Sequence, residues 1–499
     1  MSENIQPDSD FILLKEERRR QRTRTFLLYE AYRETFGSGF ASVLYRIGDA
    51  FFYQFKNHHA ILPAEVEKIK QVMLRKVDEN RALKQAHLSR EEALEKLDQP
   101  GKEDTWNWVH DMDGSLPYFY ESTYGLLAFK GQLSDTTSDA GVWDLIPYPP
   151  GILMLVAPFS HDQLPPFCER PTLFRSFFEA SRWGMIHGAS YISDVNRVIR
   201  SGEMFEFVQV AEALHARKIA LIADQITLMQ PRPKVVLISG PSSSGKTSFS
   251  KLLLVQLRVL GLHPKTMSLD NYYLPRNIIP VDESGDPDYE TLDAIDVELF
   301  NENLIRLVAG EEIHPPILNF ETHKREQGPP LKLDMDGILI VEGMHGLNPA
   351  LTPHLTAPSV FKVFVSALNH LNLDKLSRVS TTDLRLIRRI VRDRFSRGYS
   401  AEDTLSRWDS VRRGEKAHIF PHQEEADVMF NSALPYELNA LKPLAGEVLD
   451  EVNNPELKTE ANRLKSLLDA VVELPRDWTD DYVPRTSILR EFFGGSALI

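Results

Sequence analysis

Hydrophobic and polar positions follow two different patterns along the chain, and the change comes near residue 230. Before it, the segment EMFEFVQVAEALHARKIALIADQITLM (203–229) places its apolar residues on one helical face, which predicts a long helix that Pro231 and Pro233 end. After it, short β-branched runs alternate with helical stretches, as in a parallel sheet covered by helices on both faces. The runs are KVVLIS at 234–239, TMSL at 266–269, ILIVEG at 338–343, KVFV at 362–365 and DVMF at 427–430.

The first 200 residues carry a mixed pattern. Residues 63–97 are charged and strongly helical, and Ser89 with Glu92 matches the capping box that opens a helix. Residues 116–157 combine aromatic residues, prolines and glycines with short apolar runs, which favours β-structure. We therefore predict an α/β protein: a domain with a doubly wound parallel sheet, and an α+β N-terminal domain. The predicted boundaries are 1–200 for the N-terminal domain, 201–232 for a connecting helix and linker, 233–440 for the parallel-sheet domain and 441–499 for a helical C-terminal extension.

Composition narrows the classes of partner. The 499 residues exceed one core of ordinary size, and 57 Lys and Arg against 71 Asp and Glu give a net charge of −14. A general nucleic-acid binder is therefore disfavoured. Cys168 is the only cysteine, which excludes an intrachain disulfide and a cysteine-based zinc site. The polar N-terminal sequence and the lack of about 18 uninterrupted apolar residues predict a cytoplasmic protein with no membrane partner.

The sequence GPSSSGKT at 240–247 matches the phosphate-binding loop G-x-x-x-x-G-K-[ST] between a predicted strand and a predicted helix. Its backbone N–H groups and the helix N-terminus favour phosphate oxygens. Lys246 is expected to neutralise the β- and γ-phosphates and Thr247 to bind Mg²⁺. The predicted nucleotide-binding residues are Gly240, Pro241, Ser242, Ser243, Ser244, Gly245, Lys246, Thr247 and Ser248. The motif indicates a nucleoside triphosphate and does not identify the acceptor.

Two acidic residues end predicted strands of the same sheet. Asp270 follows KTMSL, and the carboxyl ends of such strands meet at the ligand crevice. Its carboxylate could accept the proton of an attacking hydroxyl or hold Mg²⁺, and a simple turn aspartate is the other interpretation. Glu342 ends ILIVE, where a carboxylate linked to Mg²⁺ is favoured over a surface charge.

An arginine-rich helix is predicted in LRLIRRIVRDRFSR, residues 384–397. Its arginines are Arg385, Arg388, Arg389, Arg392, Arg394 and Arg397. Arg385, Arg389 and Arg392 share one helical face. In a P-loop protein this pattern favours a lid over the transferring phosphates, and a solvated basic helix is the alternative.

The order of motifs over about residues 230–440 resembles the uridine kinase branch of the P-loop kinases. The matching blocks are GPSSSGKTS, SLDNYYLPR, DYETLDAIDVELF, PPILNFETHKRE, ILIVEGMHGL and RRIVRDRFSRG. The resemblance implies phosphorylation of the 5′-hydroxyl of uridine or cytidine by ATP, or by GTP as the alternative donor, with Mg²⁺. It also implies a small-molecule partner, a nucleoside or a related alcohol, and leaves room for a homo-oligomer.

The resemblance also assigns residues. Asp270 corresponds to the general base, and the catalytic set is completed by Lys246 with the lid arginines Arg389, Arg392 and Arg397. Glu290 corresponds to the carboxylate that holds the ribose hydroxyls, and His323 to the histidine that reaches the pyrimidine. The expected acceptor-binding residues are Tyr272, Tyr289, Glu290, His323 and Tyr399, and the expected Mg²⁺ ligands are Thr247, Asp270 and Glu342.

The chain departs from that family pattern where the base would be recognised. Leu318 and Asn319 replace Tyr-Asp, Tyr399 replaces an arginine, and Arg407 stands near an expected glutamine. Because hydrogen bonds in the pocket set the choice of base, these changes weaken the prediction for uridine more than that for phosphoryl transfer.

The N-terminal region resembles the editing domain found beside threonyl-tRNA synthetase catalytic cores, through FLLYEAYRETFGSGF, PAEVEKIKQVMLRKVDEN and LSREEALEKL. The histidine pair of that domain would fall at Arg22 and Phe26, and its cysteine loop at YFYESTYG. His58 and His59 are adjacent and therefore poorly placed as paired metal ligands. We expect this domain to bind, regulate or assemble rather than to hydrolyse.

Two alternatives to a nucleoside kinase stay open. The first is a P-loop kinase for another alcohol, such as a sugar, a sugar phosphate or a pantothenate-like compound. The second is a nucleotide-gated RNA-binding or scaffold protein, in which a basic patch at residues 15–24 would contact RNA.

Overall fold

The computed structural model describes residues 7–56, 61–159, 161–281, 285, 287–319, 324–355 and 359–498. The part before residue 202 packs helices against two antiparallel sheets, with strand orders β1-β2-β7-β6 and β3-β4-β5. Its elements are α1 (Pro7–Phe36), β1 (Phe40–Ile47), β2 (Ala50–Lys56), α2 (Pro63–Asp78), β3 (Gln85–Ala86), α3 (Arg90–Leu97), α4 (Glu103–Asp111), β4 (Tyr118–Ser122), β5 (Gly125–Phe129), β6 (Trp143–Tyr148), β7 (Gly151–Val156), α5 (Pro171–Ile186) and α6 (Ile192–Ser201). The α+β character predicted for this region is confirmed.

Local signals placed two helices correctly. At the start of α3, Ser89 Oγ accepts a hydrogen bond from the Glu92 backbone N–H at 3.2 Å. The Glu92 carboxylate in turn accepts one from the Ser89 N–H at 2.8 Å, which completes the capping box. The long helix predicted before the prolines is α7 (Met204–Leu228).

The second half contains a five-stranded parallel sheet in the order β14-β13-β8-β12-β9. Each predicted β-branched run overlaps one of these strands, and at most one residue of a run lies outside it. The elements from this point on are β8 (Val235–Ser239), α8 (Lys246–Val259), β9 (His263–Ser268), α9 (Val297–Val308), β10 (Pro316–Asn319), β11 (Lys324–Gln327), β12 (Gly337–Glu342), β13 (Val360–Ser366), α10 (Thr381–Arg397), α11 (Ala401–Gly414), β14 (Val428–Asn431), α12 (Glu437–Asp450), α13 (Pro455–Leu468), α14 (Arg476–Tyr482) and α15 (Arg490–Phe493). The hairpin β10-β11 was not predicted.

Alternate residues of the central strand β8 pack into different hydrophobic clusters. Val236 and Ile238 pack in a cluster with Phe249 of α8, whereas Val235 and Leu237 pack in a cluster with Phe300 of α9. Both faces of the sheet are therefore covered by helices, which explains the continuous apolar runs of its strands. The doubly wound α/β prediction is confirmed.

The two halves of the chain share buried polar contacts through the loop between β13 and α10. Asp374 accepts a hydrogen bond from Thr105 Oγ1 at 2.9 Å, and Lys375 forms an ion pair with Asp104 at 3.1 Å. Both ion-pair partners are almost fully buried. One large hydrophobic cluster also runs from α3 and α4 through α6 and α7 into the parallel sheet. Across the described ranges, no helix combines the length and apolar character that a bilayer crossing requires.

Candidate active site

The phosphate-binding loop lies between β8 and α8, at the carboxyl edge of the parallel sheet. A Cβ atom on Gly240 would stand 2.0 Å from the Val365 carbonyl oxygen of the neighbouring strand, so the backbones can approach only because glycine is there. Gly245 caps α8 with φ of 86°, a conformation that other residues rarely adopt. The loop therefore presents the first turn of α8 to a ligand.

Lys246 folds back over the loop. Its Nζ donates to the Gly240 carbonyl at 2.8 Å and to the Pro241 carbonyl at 3.1 Å. Burial lowers the pKa of Lys246, and the nearby carboxylates of Glu342 and Asp270 oppose that change. The neighbouring Thr247 side chain is exposed at the start of the helix.

Glu342 lies between the strand that leads into the loop and the strand that precedes Asp270. It stands opposite Ile238 of β8 and Ser268 of β9, and the Ser268 hydroxyl donates to its Oε1 at 2.8 Å. Burial and, after it, the Asp270 charge raise the pKa of Glu342 to about 7, although Lys246 opposes the change. The fold thus brings Asp270, Glu342 and Lys246 to one end of the sheet, as predicted from strand ends.

These residues fit a Mg²⁺ ion. Thr247, Asp270 and Glu342 offer one hydroxyl and two carboxylates, which are oxygen ligands of the kind Mg²⁺ binds. After burial, the Asp270 charge is the next cause of the raised pKa of Glu342, so the two neighbouring carboxylates repel each other. A divalent cation would relieve that repulsion.

The three predicted lid arginines meet at Asp393 within α10. Arg389 Nε lies 3.2 Å from its carboxylate, an Arg392 guanidinium nitrogen 2.9 Å and Arg397 Nη1 3.9 Å. Arg389 also donates to Ser242 Oγ of the phosphate-binding loop at 3.0 Å. One helix thus holds three cations together, and Arg389 extends directly to the loop.

Two further arginines of α10 support the loop from below. Arg385 forms a two-pronged ion pair with Glu415, with both distances 2.6 Å and side chains 2% and 0% exposed. Glu415 Oε1 also accepts the Ser242 backbone N–H at 2.8 Å. Arg388 is completely buried, pairs with Glu437 and donates to the Ser432 carbonyl at 2.9 Å. Sequence reasoning missed Glu415, because no local motif marks a carboxylate 173 positions away from its partner.

Glu290, predicted to hold the acceptor, is buried with 8% of its surface exposed. A Cβ on Gly414 would stand 2.2 Å from Glu290 Cβ, so the glycine makes room for it. Burial and, after it, the Glu415 charge raise the pKa of Glu290 to about 8, although Arg389 and Lys246 oppose the change. Glu290 Oε2 has no hydrogen-bond partner within the described part of the chain, which leaves it available to a ligand.

Tyr272 and Tyr273, which follow Asp270 closely in the sequence, have different surroundings. Tyr272 is fully buried, and its hydroxyl accepts from Asn303 Nδ2 at 3.0 Å in the core beside α9. Its position therefore gives no support to the predicted contact with substrate. Tyr273, which sequence reasoning passed over, donates to the Tyr289 carbonyl at 3.0 Å, and the two rings lie 5.8 Å apart. Tyr289 is thus placed by Tyr273, next to Glu290.

Two residues predicted to bind the acceptor, His323 and Tyr399, remain to be located. His323 lies outside the described residues. Tyr399 follows α10 with 36% of its surface exposed, and the Arg407 guanidinium lies 5.2 Å from its ring. Leu318 of β10 donates its backbone N–H to Asn271 Oδ1 at 3.1 Å, which places the hairpin beside the Asp270 turn. His345, three residues after Glu342, was not singled out; burial lowers its pKa to about 4, and its ring centroid lies 6.4 Å from that of His418.

The editing-like positions of the N-terminal region serve packing. Phe26 is completely buried against Phe129, with centroids 6.5 Å apart, and Arg22 Nε donates to the Gln132 carbonyl at 2.8 Å. The YFYESTYG sequence forms β4 and its turn into β5. His58 and His59 are not among the described residues, and within those ranges no three His, Cys, Asp or Glu side chains are grouped to hold a metal.

Comparison with known proteins finds sequence matches over the second half of the chain. Residues 235–437 match the model of the phosphoribulokinase / uridine kinase family. A uridine kinase from Clostridium botulinum is 28% identical over 199 residues, which are 40% of this chain and 87% of that protein. One from Oceanobacillus iheyensis is 26% identical over 203 residues, 40% of this chain and 88% of that protein. A solved structure of a possible uridine kinase from Bacillus stearothermophilus has a TM-score of 0.31 and 17% identity, and the match covers 43% of this chain and 98% of the other.

The parallel sheet, the phosphate-binding loop and the carboxylates at its edge define a P-loop kinase, a phosphotransferase that uses a nucleoside triphosphate. The residues that build this site lie in the part of the chain, 235–437, that matches the phosphoribulokinase / uridine kinase family model.

Proposed function

We propose that the protein transfers the γ-phosphoryl group of ATP to the 5′-hydroxyl of a nucleoside, with uridine and cytidine as the first candidates. The observation that carries the proposal is the meeting of Asp270, Glu342 and Lys246 at the carboxyl edge of the sheet. Near Lys246 and Arg389 lies the buried Glu290 carboxyl, whose Oε2 has no hydrogen-bond partner among the described residues. The names of the relatives from C. botulinum and O. iheyensis support a nucleoside acceptor.

In the proposed reaction, the Asp270 carboxylate takes the proton of the acceptor hydroxyl as its oxygen attacks the γ-phosphorus. The bond from the γ-phosphorus to the bridging oxygen of the β-phosphate breaks, and the nucleoside diphosphate leaves. Lys246 and Arg389 balance the negative charge that spreads over the transferred group. Mg²⁺, held by Thr247 and Glu342 with Asp270 within reach, would neutralise triphosphate charge and orient the γ-phosphate.

Glu290 and Tyr289 are proposed to hold the sugar of the acceptor. Because its pKa is about 8, Glu290 is mainly protonated near neutral pH and can both donate and accept a hydrogen bond. A pair of ribose hydroxyls offers matching partners. Arg392 and Arg397, gathered with Arg389 at Asp393, are proposed to close over the phosphates.

A direct test measures ADP release by a coupled assay with a panel of nucleosides, using the Asp270→Asn variant as control. Uridine or cytidine should stimulate release from the wild type, and the variant should lose about 10²- to 10⁴-fold in kcat. Nucleotide binding by the variant, followed by thermal shift, should persist. If no nucleoside raises ADP release above background hydrolysis, the nucleoside assignment is wrong.

A second acceptor class is favoured by the residues near the predicted base pocket. Leu318 offers an apolar side chain in the hairpin beside Asn271, where the resemblance leads one to expect a polar pair. Such a lining suits an acceptor with fewer hydrogen-bonding groups. Adding sugars, sugar phosphates and pantothenate-like alcohols to the same panel separates this possibility from a nucleoside.

A further inference from the structure

A segment near the C-terminal end of the described chain packs against the phosphate-binding loop. In this C-terminal segment (residues 487–496), Ile488 Cγ2 lies so close to Gly245 that a Cβ on the glycine would stand 2.7 Å from it. The Phe492 ring lies under the guanidinium of Arg388, 4.8 Å from it, and Arg388 itself supports the loop. The segment therefore forms a wall of the nucleotide site.

Glu491 of this segment is bound at the start of α8. Its Oε2 accepts the Ser248 backbone N–H at 3.1 Å and the Ser248 hydroxyl at 2.7 Å. The first N–H groups of a helix have no partner within the helix, and those of α8 are the donors that a P-loop offers to nucleotide phosphates. The Glu491 carboxylate thus accepts hydrogen bonds from Ser248 groups that are predicted to bind phosphate.

The negative charge of Glu491 also acts on Lys246 and Glu342 of the candidate active site. It is among the carboxylates that oppose the lowering of the Lys246 pKa by burial, and it adds to the raised pKa of Glu342. A phosphate group near Ser248 would meet both the occupied donors and the repulsion of this carboxylate.

The backbone around Glu491 is firmly anchored, whereas its side chain is not enclosed. Ile488, Leu489 and Phe492 are almost completely buried, and the Arg490 guanidinium donates to the Val483 carbonyl at 2.7 Å. Glu491 itself is only half-buried. A rotation of its side chain can therefore free the Ser248 donors while the segment stays docked.

We propose that Glu491 is a built-in competitor of nucleotide phosphate, which closes the Ser248 donors in the free protein and must turn away when a triphosphate binds. This inference rests on the proposed function only in that a nucleoside triphosphate binds at residues 240–248. It makes the C-terminal segment a determinant of nucleotide affinity, independent of which acceptor is used.

The test compares the full-length wild type with Glu491→Gln and Glu491→Ala by calorimetric titration with a non-hydrolysable ATP analogue and with pyrophosphate. Glu491→Ala removes both the hydrogen-bond acceptor and the charge, whereas Glu491→Gln removes only the charge and keeps an amide oxygen that can accept. We expect the Kd for each probe to fall about three- to tenfold, with the larger change in Glu491→Ala. Adenosine, which has no phosphate, should bind all variants equally. Asp481→Asn, an exposed carboxylate ten positions earlier, is the matched control and should leave every Kd unchanged.

Two outcomes overturn the proposal. One is an unchanged or larger Kd for the analogue in both Glu491 variants with a lower melting temperature, which would make Glu491 a structural cap of α8. The other is an equal gain with adenosine, which would show a general opening of the site. Neither outcome depends on finding an acceptor. A wild type that binds the analogue but phosphorylates no nucleoside would refute the proposed function alone. Tighter binding of the analogue by Glu491→Gln would still support Glu491 as a competitor of nucleotide phosphate.

Discussion

At the scale of single residues, burial decides the protonation state of the acceptor-side carboxyl. Glu290 keeps its proton to about pH 8 in the folded protein, against an ordinary value of 4.5, because it is buried near Glu415. The folded state therefore holds more protons than the unfolded state between these two values. Stability from this group is complete below about pH 4.5 and is lost as the pH rises toward 8.

We therefore expect Glu290→Gln to flatten the dependence of stability on pH. The free energy of unfolding of the wild type should fall relative to that of the variant by more than about 1 kcal/mol between pH 5 and pH 8. Chemical denaturation at several pH values measures this, with Glu298→Gln, an exposed carboxylate on α9, as control. Parallel curves for wild type and Glu290→Gln would contradict the assigned protonation.

The two adjacent tyrosines after Asp270 provide a second prediction. Tyr273→Phe removes the hydrogen bond to the Tyr289 carbonyl, so the KM for the acceptor should rise several-fold while nucleotide affinity stays the same. Tyr272→Phe removes a bond to Asn303 in the core and should lower stability by about 1 kcal/mol without changing that KM. Steady-state kinetics and denaturation on both variants check the pair. Equal effects on KM would refute the division of roles.

At the scale of elements, α10 supports the phosphate-binding loop and also carries the arginines that are proposed to form a lid. The spacing of Arg385, Arg389 and Arg392 predicts a common face, yet their partners differ. Arg385 pairs with Glu415, Arg389 with Ser242 and Asp393, and Arg392 with Asp393. The partner depends on which element packs against each turn of the helix. Periodicity alone reports a common face and not what covers it.

Removing one member of the buried Arg385–Glu415 pair should lower the stability of the folded protein. Glu415→Ala leaves Arg385 charged and unpaired in the interior, with an expected loss of about 3–5 kcal/mol in the free energy of unfolding. The double change Arg385→Met with Glu415→Leu should recover much of that stability. It should not recover nucleotide affinity, because the Ser242 N–H and carbonyl lose their partners as well. Denaturation and nucleotide titration of both variants test this; a double variant as unstable as Glu415→Ala would contradict the account.

At the scale of the whole molecule, the N-terminal half and the kinase half are joined through a common core. The loop that carries Asp374 and Lys375 reaches into the N-terminal half, where Asn372 Nδ2 donates to the Val43 carbonyl at 2.8 Å. These buried groups would be left unpaired if the halves separated.

The full chain is therefore expected to unfold in one cooperative transition, and the fragment 203–499 to expose apolar surface. Scanning calorimetry should show a single peak for the full chain, and Asp374→Ala should shift that whole peak to lower temperature. The fragment should bind a hydrophobic dye more strongly than the full chain. Two separate peaks, only one of which moves in the variant, would show independent halves.

The amino-acid sequence alone determined the features that depend on neighbouring residues. The loop at 240–247, the five parallel strands, the long helix α7 and the capping box of α3 follow from spacing, propensity and local hydrogen bonding. Strand ends also predicted that Asp270 and Glu342 meet beside Lys246, because parallel strands finish at one edge.

Only the tertiary structure decided which residues from distant parts of the chain complete the site. Glu415 and Glu491 reach the loop from 173 and 243 positions away from their partners, and no local pattern carries such a pairing. Which of the two tyrosines contacts Tyr289 was also decided by the tertiary structure. A short 3₁₀ turn at Leu269–Tyr272 directs the Tyr272 ring into the core and leaves Tyr273 to contact Tyr289. Packing of separate elements fixes these contacts, since burial, charge and hydrogen-bond partners exist only once the elements have come together.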